Sequence, residues 1–170
     1  MSAAPALTIL QRIQTALQAA DGAATVTVLG DSHTYNYDLS AAGTVVIGGD
    51  PVKGTDDVAV SVYYISSATS TDGVPVGKQA KVHTFEVVGR VAADDETHGS
   101  RVSAALNLAA DLVVAVHYDY APNGANNLAS WAGAVHIRTD EAAVDGAEWG
   151  ARAGLALVTV EVTTRSRLGL

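Results

Sequence analysis

The fold is decided by the stretch Lys81-Val-His-Thr-Phe-Glu-Val-Val-Gly-Arg-Val91 together with the helical pattern that follows it. The first part is rich in branched and aromatic residues, which favour a pleated strand. After an acidic turn, apolar residues recur at helical spacing, so one stripe of that helix must be buried. The stripe consists of Val102, Ala105, Leu106, Ala109, Leu112, Val113 and Val116. A strand joined directly to such a helix needs more sheet beneath it, which we expect the rest of the chain to supply.

The composition indicates one folded domain spanning residues 1–170. Hydrophobic residues make up 48% of the chain and charged residues only 16%, which excludes a disordered protein. Aromatic residues contribute just 5%, so the core must be built from many small side chains. Such a surplus of small apolar residues also predicts apolar surface, as in a subunit of a larger assembly.

The net charge of −8 argues against tight binding of nucleic acid, which requires clustered Lys and Arg. It is compatible with DNA passing through an acidic channel without being gripped. Cysteine is absent, which excludes disulfides and thiolate chemistry. We expect no signal peptide, no membrane-spanning segment and no membrane partner, because the longest apolar run, near Leu112, is short. We therefore expect synthesis in the cytoplasm.

Periodicity predicts two helices and six strands. The first helix covers residues 6–20, starts after Pro5 and ends at Asp21-Gly22, where glycine would take the left-handed conformation. The second covers residues 101–116. Alternating segments predict strands at residues 24–29, 44–47, 58–64, 81–91, 131–138 and 153–164.

Polar segments separate these elements. We expect projecting loops from Ser66 to Gln79 and from Tyr118 to Ser130, an acidic connection at residues 139–150, and a C-terminal tail at residues 165–170. Runs of strands with few helices favour an α+β fold, a mostly antiparallel β-sheet or sandwich with two helices packed on one face. The opposite face would then be free to meet a neighbour.

The string Val28-Leu-Gly-Asp-Ser-His33 resembles the first block of the SGNH (GDSL-type) hydrolases. This resemblance implies that Ser32 attacks an ester and that Gly30 helps to frame the oxyanion site. The Asp-x-x-His that the family requires near its C-terminus has a counterpart of the right spacing at Asp95 and His98, but in mid-chain. Gly-Asp-Ser is also an ordinary turn, in which Asp and Ser hydrogen-bond to the local backbone.

The residues Asp94, Asp95, Glu96 and His98 have side chains that bind metals. We interpret the carboxylates instead as caps for the second helix, a role that Thr97 or Ser100 would also serve. No two of the five histidines have helical ligand spacing, and Gly48-Gly-Asp-Pro51 lacks the ending of a phosphate loop. The sequence thus predicts no catalytic, cofactor-binding or metal-binding residues and no cofactor.

Tyrosines occur in pairs along the chain, and two interpretations of them stay open. Either they are partly buried anchors of loops, or they contact a partner, since Tyr is enriched at interfaces. The pairs are Tyr35 with Tyr37, Tyr63 with Tyr64, and Tyr118 with Tyr120. Arg165 and Arg167 raise a similar choice between a solvated end and an arm that docks on an acidic neighbour.

The order of elements resembles the tail terminator (tail-completion) proteins of long-tailed bacteriophages. Three features carry the resemblance: an N-terminal helix starting near Leu7, a strand, acidic turn and helix over residues 83–116, and a long closing strand over residues 155–164 that ends in basic residues. The polar segment from Ser32 to Gly54 has no counterpart in that family.

The resemblance implies a structural virion protein, not an enzyme, that assembles a homo-oligomeric ring of six copies at the head-proximal end of the tail tube. Such a ring ends tube polymerisation, contacts the tail tube protein and the head–tail connector protein, and lets DNA pass without specific binding. The alternatives are another ring-forming neck or tail component (a connector stopper or a tube protein), or an SGNH-like esterase that uses Ser32.

Overall fold

The computed structural model describes residues 4–49, 58–70, 78–93, 97–120, 131–146 and 153–167. Two helices and seven strands follow each other along the chain. They are α1 (Pro5–Gln18), β1 (Thr25–Val28), β2 (Asp31–Thr34), β3 (Val45–Ile47), β4 (Val58–Ser70), β5 (Lys78–Ala92), α2 (His98–Tyr120), β6 (Ala134–Asp145) and β7 (Ala153–Arg167).

The architecture is α+β, with one large sheet that is almost entirely antiparallel. The sheet has five strands in the order β3-β4-β5-β7-β6, and only the β3–β4 pair is parallel. A separate antiparallel hairpin is formed by β1 and β2. Both helices pack on one face of the five-stranded sheet, as the alternation in the sequence predicts.

The buried face of the sheet follows directly from the period-two pattern of its strands. In β5, Phe85, Val87 and Val91 are buried, and the facing residues Val158 and Val160 of β7 complete the same surface. Apolar residues of both helices belong to the same core cluster, among them Ile13 and Leu112. The described elements therefore share one core between the sheet and the helices.

Two glycines let α2 approach the sheet closely. A Cβ atom built on Gly89 would lie 2.7 Å from Cδ2 of Leu108, and one on Gly154 would overlap the backbone oxygen of Arg101. Gly89 and Gly154 lie on the two central strands, β5 and β7. The absence of side chains at both positions sets the distance between the helix and the sheet.

Helix α2 is long and apolar enough, by length and composition, to cross a membrane, and it is the one such helix in the described part of the chain. In this fold, however, Leu108, Leu112 and Val116 are fully buried in the core with the sheet. Its two charged residues in the buried stripe, Arg101 and Asp111, have partners within the domain. We therefore interpret α2 as the core helix of a globular domain.

Several segments that the sequence predicts as loops are strands. The predicted loop at residues 66–79 is in part an extension of β4 to Ser70 and of β5 back to Lys78. The predicted acidic connection at residues 139–150 continues β6 as far as Asp145, and the predicted tail continues β7 to Arg167. These residues are polar because their strands are largely exposed, and pairing with a neighbouring strand holds them in place. Residues 71–77, 147–152 and 168–170 lie outside the described residues.

Other predictions need similar correction. The polar stretch after residue 31 contains β2, and Tyr118 and Tyr120 belong to α2 and not to a loop, while residues 121–130 lie outside the described residues. Leu106, which belongs to the predicted stripe of α2, is 52% exposed, and Leu7, which helical spacing places on one stripe of α1 with Leu10, Ile13 and Leu17, is 46% exposed. The buried stripe of each helix is therefore narrower than helical spacing alone predicts.

The end of α1 also differs from its prediction. The helix stops at Gln18, Ala19 is the C-cap in a right-handed conformation, and the positive φ falls on Ala23 and not on Gly22. Gly22 serves a different purpose, because a Cβ atom there would lie 3.0 Å from Cβ of Asp38 and 3.1 Å from its backbone nitrogen. Glycine is used at this position for close packing and not for a left-handed turn.

We expect Gly154→Ala to lower the free energy of unfolding by about 2–3 kcal/mol, because the added methyl group meets backbone that cannot move aside. Gly99→Ala is the matched control: nothing lies within 4 Å of a Cβ atom there, and alanine favours the helix by up to about 1 kcal/mol. Urea unfolding of both variants measures the difference. Equal stabilities would show that α2 does not sit as close to β7 as described.

Candidate functional site

Asp111 is a fully buried carboxylate in the middle of α2. Four donors reach it: Nε2 of His33 at 2.7 Å, the backbone nitrogen and Nδ2 of Asn36 at 2.8 and 2.9 Å, and the backbone nitrogen of Tyr37 at 2.9 Å. A carboxylate has about four acceptor sites, so these contacts use its full capacity. Asp111 thereby fastens the chain after β2 to the core helix.

The position of Asp111 in the sequence is itself a signal for this anchor. Asp111 lies three residues after Leu108 and four before Ala115, both of which are buried, so helical periodicity places it on the buried stripe. A charged residue on such a stripe requires partners. Which residues supply them depends on the path of the hairpin, which no pattern reveals.

An open cleft of about 340 Å³ lies between the β1–β2 hairpin and α2. Its walls are mainly apolar and include Val28, Leu29, Val113 and Val114, with Ser32, His33 and His117 as polar members. Leu29 stands at the rim and is 88% exposed. The cleft is where a small ligand would bind if this protein had an active site.

Ser32 lacks the surroundings of a nucleophile in this cleft. It lies within β2, directly beside His33, and neighbouring residues of a strand point to opposite faces. Nε2 of His33, the atom that would face a serine, is used for its contact with Asp111. Val28 pairs with Asp31 across the two-residue turn Leu29-Gly30, in which both residues have positive φ. Gly-Asp-Ser is therefore part of a tight hairpin, and the described residues that follow Ser32, from 33 to 49, contain no helix.

The Asp-x-x-His pattern is not brought to Ser32 either. His98 opens α2 and its Nδ1 contacts Oδ2 of Asp145 at 2.7 Å. Ser32 lines the cleft beside Val113, which is fifteen residues further along the same helix, or roughly 22 Å at 1.5 Å per residue. Asp95 lies outside the described residues.

The start of α2 is tied to the end of β6. Oγ1 of Thr97 accepts a hydrogen bond from the backbone nitrogen of Ser100 at 3.3 Å, which confirms Thr97 as a cap. Arg101 and His98 both contact the carboxylate of Asp145. The predicted capping role of Asp94, Asp95 and Glu96 falls outside the described residues. Across the described ranges, no three His, Asp or Glu side chains come together as a metal site.

Buried histidines and tyrosines around the core have shifted pKa values. Burial, and then the nearby His136, lowers the pKa of His117, whose Nε2 lies 3.0 Å from Oγ1 of Thr139. Burial, and then Lys81, lowers the pKa of His83. Burial, followed by the charges of Asp111 and Tyr118, raises the pKa of Tyr35 to about 12. Such groups remain uncharged at neutral pH and act as packing residues.

The tyrosine pairs divide between the two interpretations. Tyr35 is 4% exposed and packs edge-on against His33, with ring centroids 5.5 Å apart. Hydroxyl Oη of Tyr37 donates to the backbone oxygen of Ala104 at 3.3 Å. Both are anchors. Tyr64 is 45% exposed beside Phe85. Of Tyr35, Tyr37 and Tyr64, it is the one whose side chain is exposed enough to contact a partner.

The second candidate surface is the face of the sheet opposite the helices, which we call the open face. It is formed by alternate residues of four neighbouring strands, half-buried or exposed in its middle rows. The register places Tyr63, Glu86, Thr159 and Asp140 side by side in one row, and Thr84, Glu161 and Arg138 in the next. Shallow hollows in these rows are lined by carboxylates, Thr159, Leu157 and, in one of them, Arg138. The open face is thus broad and mixed in polarity, with its carboxylates concentrated in these two rows.

Comparison with known proteins gives no match to a family model and no similar curated protein.

We expect Asp111→Ala to lower the free energy of unfolding by about 3–5 kcal/mol, because it leaves buried donors without an acceptor. Asp31→Ala, which removes an exposed carboxylate from the same hairpin, should change it by less than about 0.5 kcal/mol. Hydrogen exchange at the backbone amides of Asn36 and Tyr37 should accelerate in the first variant only. An Asp111→Ala protein as stable as wild type would contradict the anchoring role.

The lowered pKa values of His83 and His117 predict that stability decreases in mild acid. In the unfolded chain these histidines titrate near pH 6.5, above their folded pKa values, so the unfolded state takes up protons first as the pH falls. Their contribution is complete above about pH 6.5 and is lost below it, by at most about 1.4 kcal/mol per pH unit for each histidine. Urea unfolding between pH 8 and pH 5.5 measures the slope, which His117→Gln should reduce. An unchanged slope would contradict the burial of His117.

Proposed function

We propose that this protein is a structural subunit of a bacteriophage virion, which forms a ring of six copies at the head-proximal end of the tail tube. The observation that carries this proposal is the open face. Its middle rows contain Val88 and Leu157 beside charged residues, which is the mixed character of a protein interface. The order of helices and strands supports it through the resemblance to tail terminator proteins.

The proposed role is assembly. The ring ends polymerisation of the tail tube protein and presents its other side to the head–tail connector protein. A heterologous contact that closes by rotation generates such a ring. The subunit is made in the host cytoplasm and ends in the tail or neck of the virion.

The charge of the chain supports a DNA-conducting ring. A net charge of −8, multiplied over several copies, gives a lumen that repels phosphate. DNA passes through such a lumen without specific contacts, since counterion release requires clustered basic residues.

The alternatives differ in what they require. A connector stopper or a tube protein also forms rings, and the same surfaces would serve it. An SGNH-like esterase requires a histidine that meets Ser32 through one ring nitrogen and an Asp through the other, whereas His33 is the next residue on the same strand and uses Nε2 for Asp111, and His98 contacts Asp145 at the far end of α2. We therefore favour an assembly function over hydrolysis.

We expect the purified protein to form a species of about six times 17.3 kDa in light scattering coupled to size-exclusion chromatography. Negative-stain images of that species should show annuli. A protein that stays monomeric at every concentration and salt would overturn the ring. Hydrolysis of a generic aryl ester that disappears in Ser32→Ala would establish the esterase instead.

Addition of the protein to polymerising tail tubes separates the remaining alternatives. A terminator should cap the tubes and hold their length constant as more tube protein is added. Incorporation along the tube would identify a tube protein. Rings that bind the connector and leave tube length unchanged would identify a stopper.

A further inference from the structure

The central strands of the sheet continue past the helix-covered core as a three-stranded extension, which we call the arm. It consists of residues 66–70 of β4, 78–82 of β5 and 165–167 of β7. Burial changes abruptly where the arm begins. Phe85 is fully buried and His83 is 2% exposed, whereas every arm residue whose exposure is described is half-buried or exposed. The rows Ser70–Ala80–Arg165 and Lys78–Arg167 remain paired. The arm is therefore an ordered part of the sheet and not a frayed end.

The arm concentrates positive charge on an acidic protein. It contains Lys78, Lys81, Arg165 and Arg167, which are four of the ten Lys and Arg residues, and none of the eighteen Asp and Glu residues. Its formal charge is +4, so the remainder of the chain carries −12. Strand alternation places Lys78 and Arg165 on the side of the sheet that forms the open face.

The open face is acidic in two of its rows, away from Arg90, which lies on the same face four residues beyond Glu86 on β5. Glu86, Asp140 and Glu161 lie within two adjacent rows, where like charges on neighbouring strands repel each other. Among the described residues of these rows, Arg138 is the one cation, and its Nη1 lies 3.9 Å from Oε2 of Glu161 with both side chains largely exposed. Such a pair contributes little. A cation from another molecule would relieve this repulsion.

Most of the positive charge of the arm lies far from the acidic rows of its own chain. Lys78 and Glu86 are eight residues apart on β5, which is about 26 Å along a strand. Arg165 and Glu161 are about 13 Å apart on β7, and the described ion pair of Glu161 is with Arg138. Because both surfaces lie on the same sheet, bending the arm back would break its pairing. A second copy can bring the whole arm onto the acidic rows without bending the sheet.

From these observations, and resting on the ring proposed above, we infer that the basic arm of each copy docks on the acidic open face of the next copy. Lys78 and Arg165 pair with Glu86, Asp140 and Glu161 of the neighbour, and Ile65, which is 53% exposed at the irregularity before the arm, adds apolar contact. The contact joins two different surfaces, so it propagates from copy to copy and closes as a ring.

Charge reversal with complementation tests this contact. The arm variant is Lys78→Glu with Arg165→Glu, and the face variant is Glu86→Lys with Asp140→Lys. We expect each alone to self-associate at least about 100-fold more weakly than wild type, because like charges then face each other. An equimolar mixture should restore rings that contain both variants, since the reversed arm fits the reversed face. A chain with all four substitutions should assemble by itself.

The controls separate this contact from general charge effects and from misfolding. Asp21→Lys with Asp31→Lys changes the net charge as the face variant does, at exposed positions outside the open face, and should form wild-type rings. Restoration in the mixture shows that both variants are folded. Failure of the mixture and of the fourfold variant to assemble would overturn the contact.

The remaining outcomes test the docking of the arm separately from the formation of the ring. Rings that persist in both reversed variants would overturn the docking of the arm and leave the proposed function standing. A wild-type protein that never self-associates would overturn both. If the arm variant forms rings but loses binding to duplex DNA in fluorescence anisotropy, the partner of the arm is nucleic acid, and the inference fails.

Discussion

The close approach of α2 to the two central strands is the constraint on which the rest of the structure depends. It exists because Gly89 and Gly154 leave room where the helix crosses β5 and β7. The small side chains around them, such as Ala105 and Ala156, are fully buried. A sequence with few aromatic residues can fill a core only if its layers lie close together, because dispersion contacts are lost quickly with distance.

The position of α2 in turn fixes elements that have little core of their own. The β1–β2 hairpin is held through Asp111, and the end of β6 is held through the contacts of Arg101 with Asp145. At the other end of the helix, Oδ1 and Oδ2 of Asp119 accept from Arg12, with Nε at 2.7 Å, and Oδ2 also accepts from Nε1 of Trp131 at 2.8 Å. One helix thus organises its surroundings with a charged residue near each end and one in its middle.

The period-two and helical patterns were sufficient for the fold class, because burial on one face imposes them directly. They predicted the strand and helix that follow Lys81 and the closing strand at residues 153–164. They failed where strands are polar: the outer parts of β4 and β5 and most of β6 owe their conformation to partners distant in sequence. The intrinsic strand preference of a residue contains no information about such long-range pairing.

The candidate surfaces were less predictable from the sequence than the fold was. The motif around Ser32 suggested chemistry that the hairpin does not assemble, because adjacent residues of a strand diverge. The acidic rows of the open face could not be predicted from the sequence, because Glu86, Asp140 and Glu161 become neighbours only through the register of the strands. The basic residues near the C-terminus were noticed, but their meeting with Lys78 and Lys81 on one arm required the alignment of β5 with β7.

The two edge strands of the sheet affect how readily backbone pairing can extend from one copy to the next. At one border β3 offers only three residues, and at the other β6 carries Asp140, Glu141 and Asp145 along its length. Short or charged border strands are poor templates for amyloid-like fibres, in which backbone amides of one chain pair with those of the next. Backbone pairing between copies is thereby disfavoured along β3 and β6, so contacts of the kind proposed above would rest on side chains and respond to ionic strength.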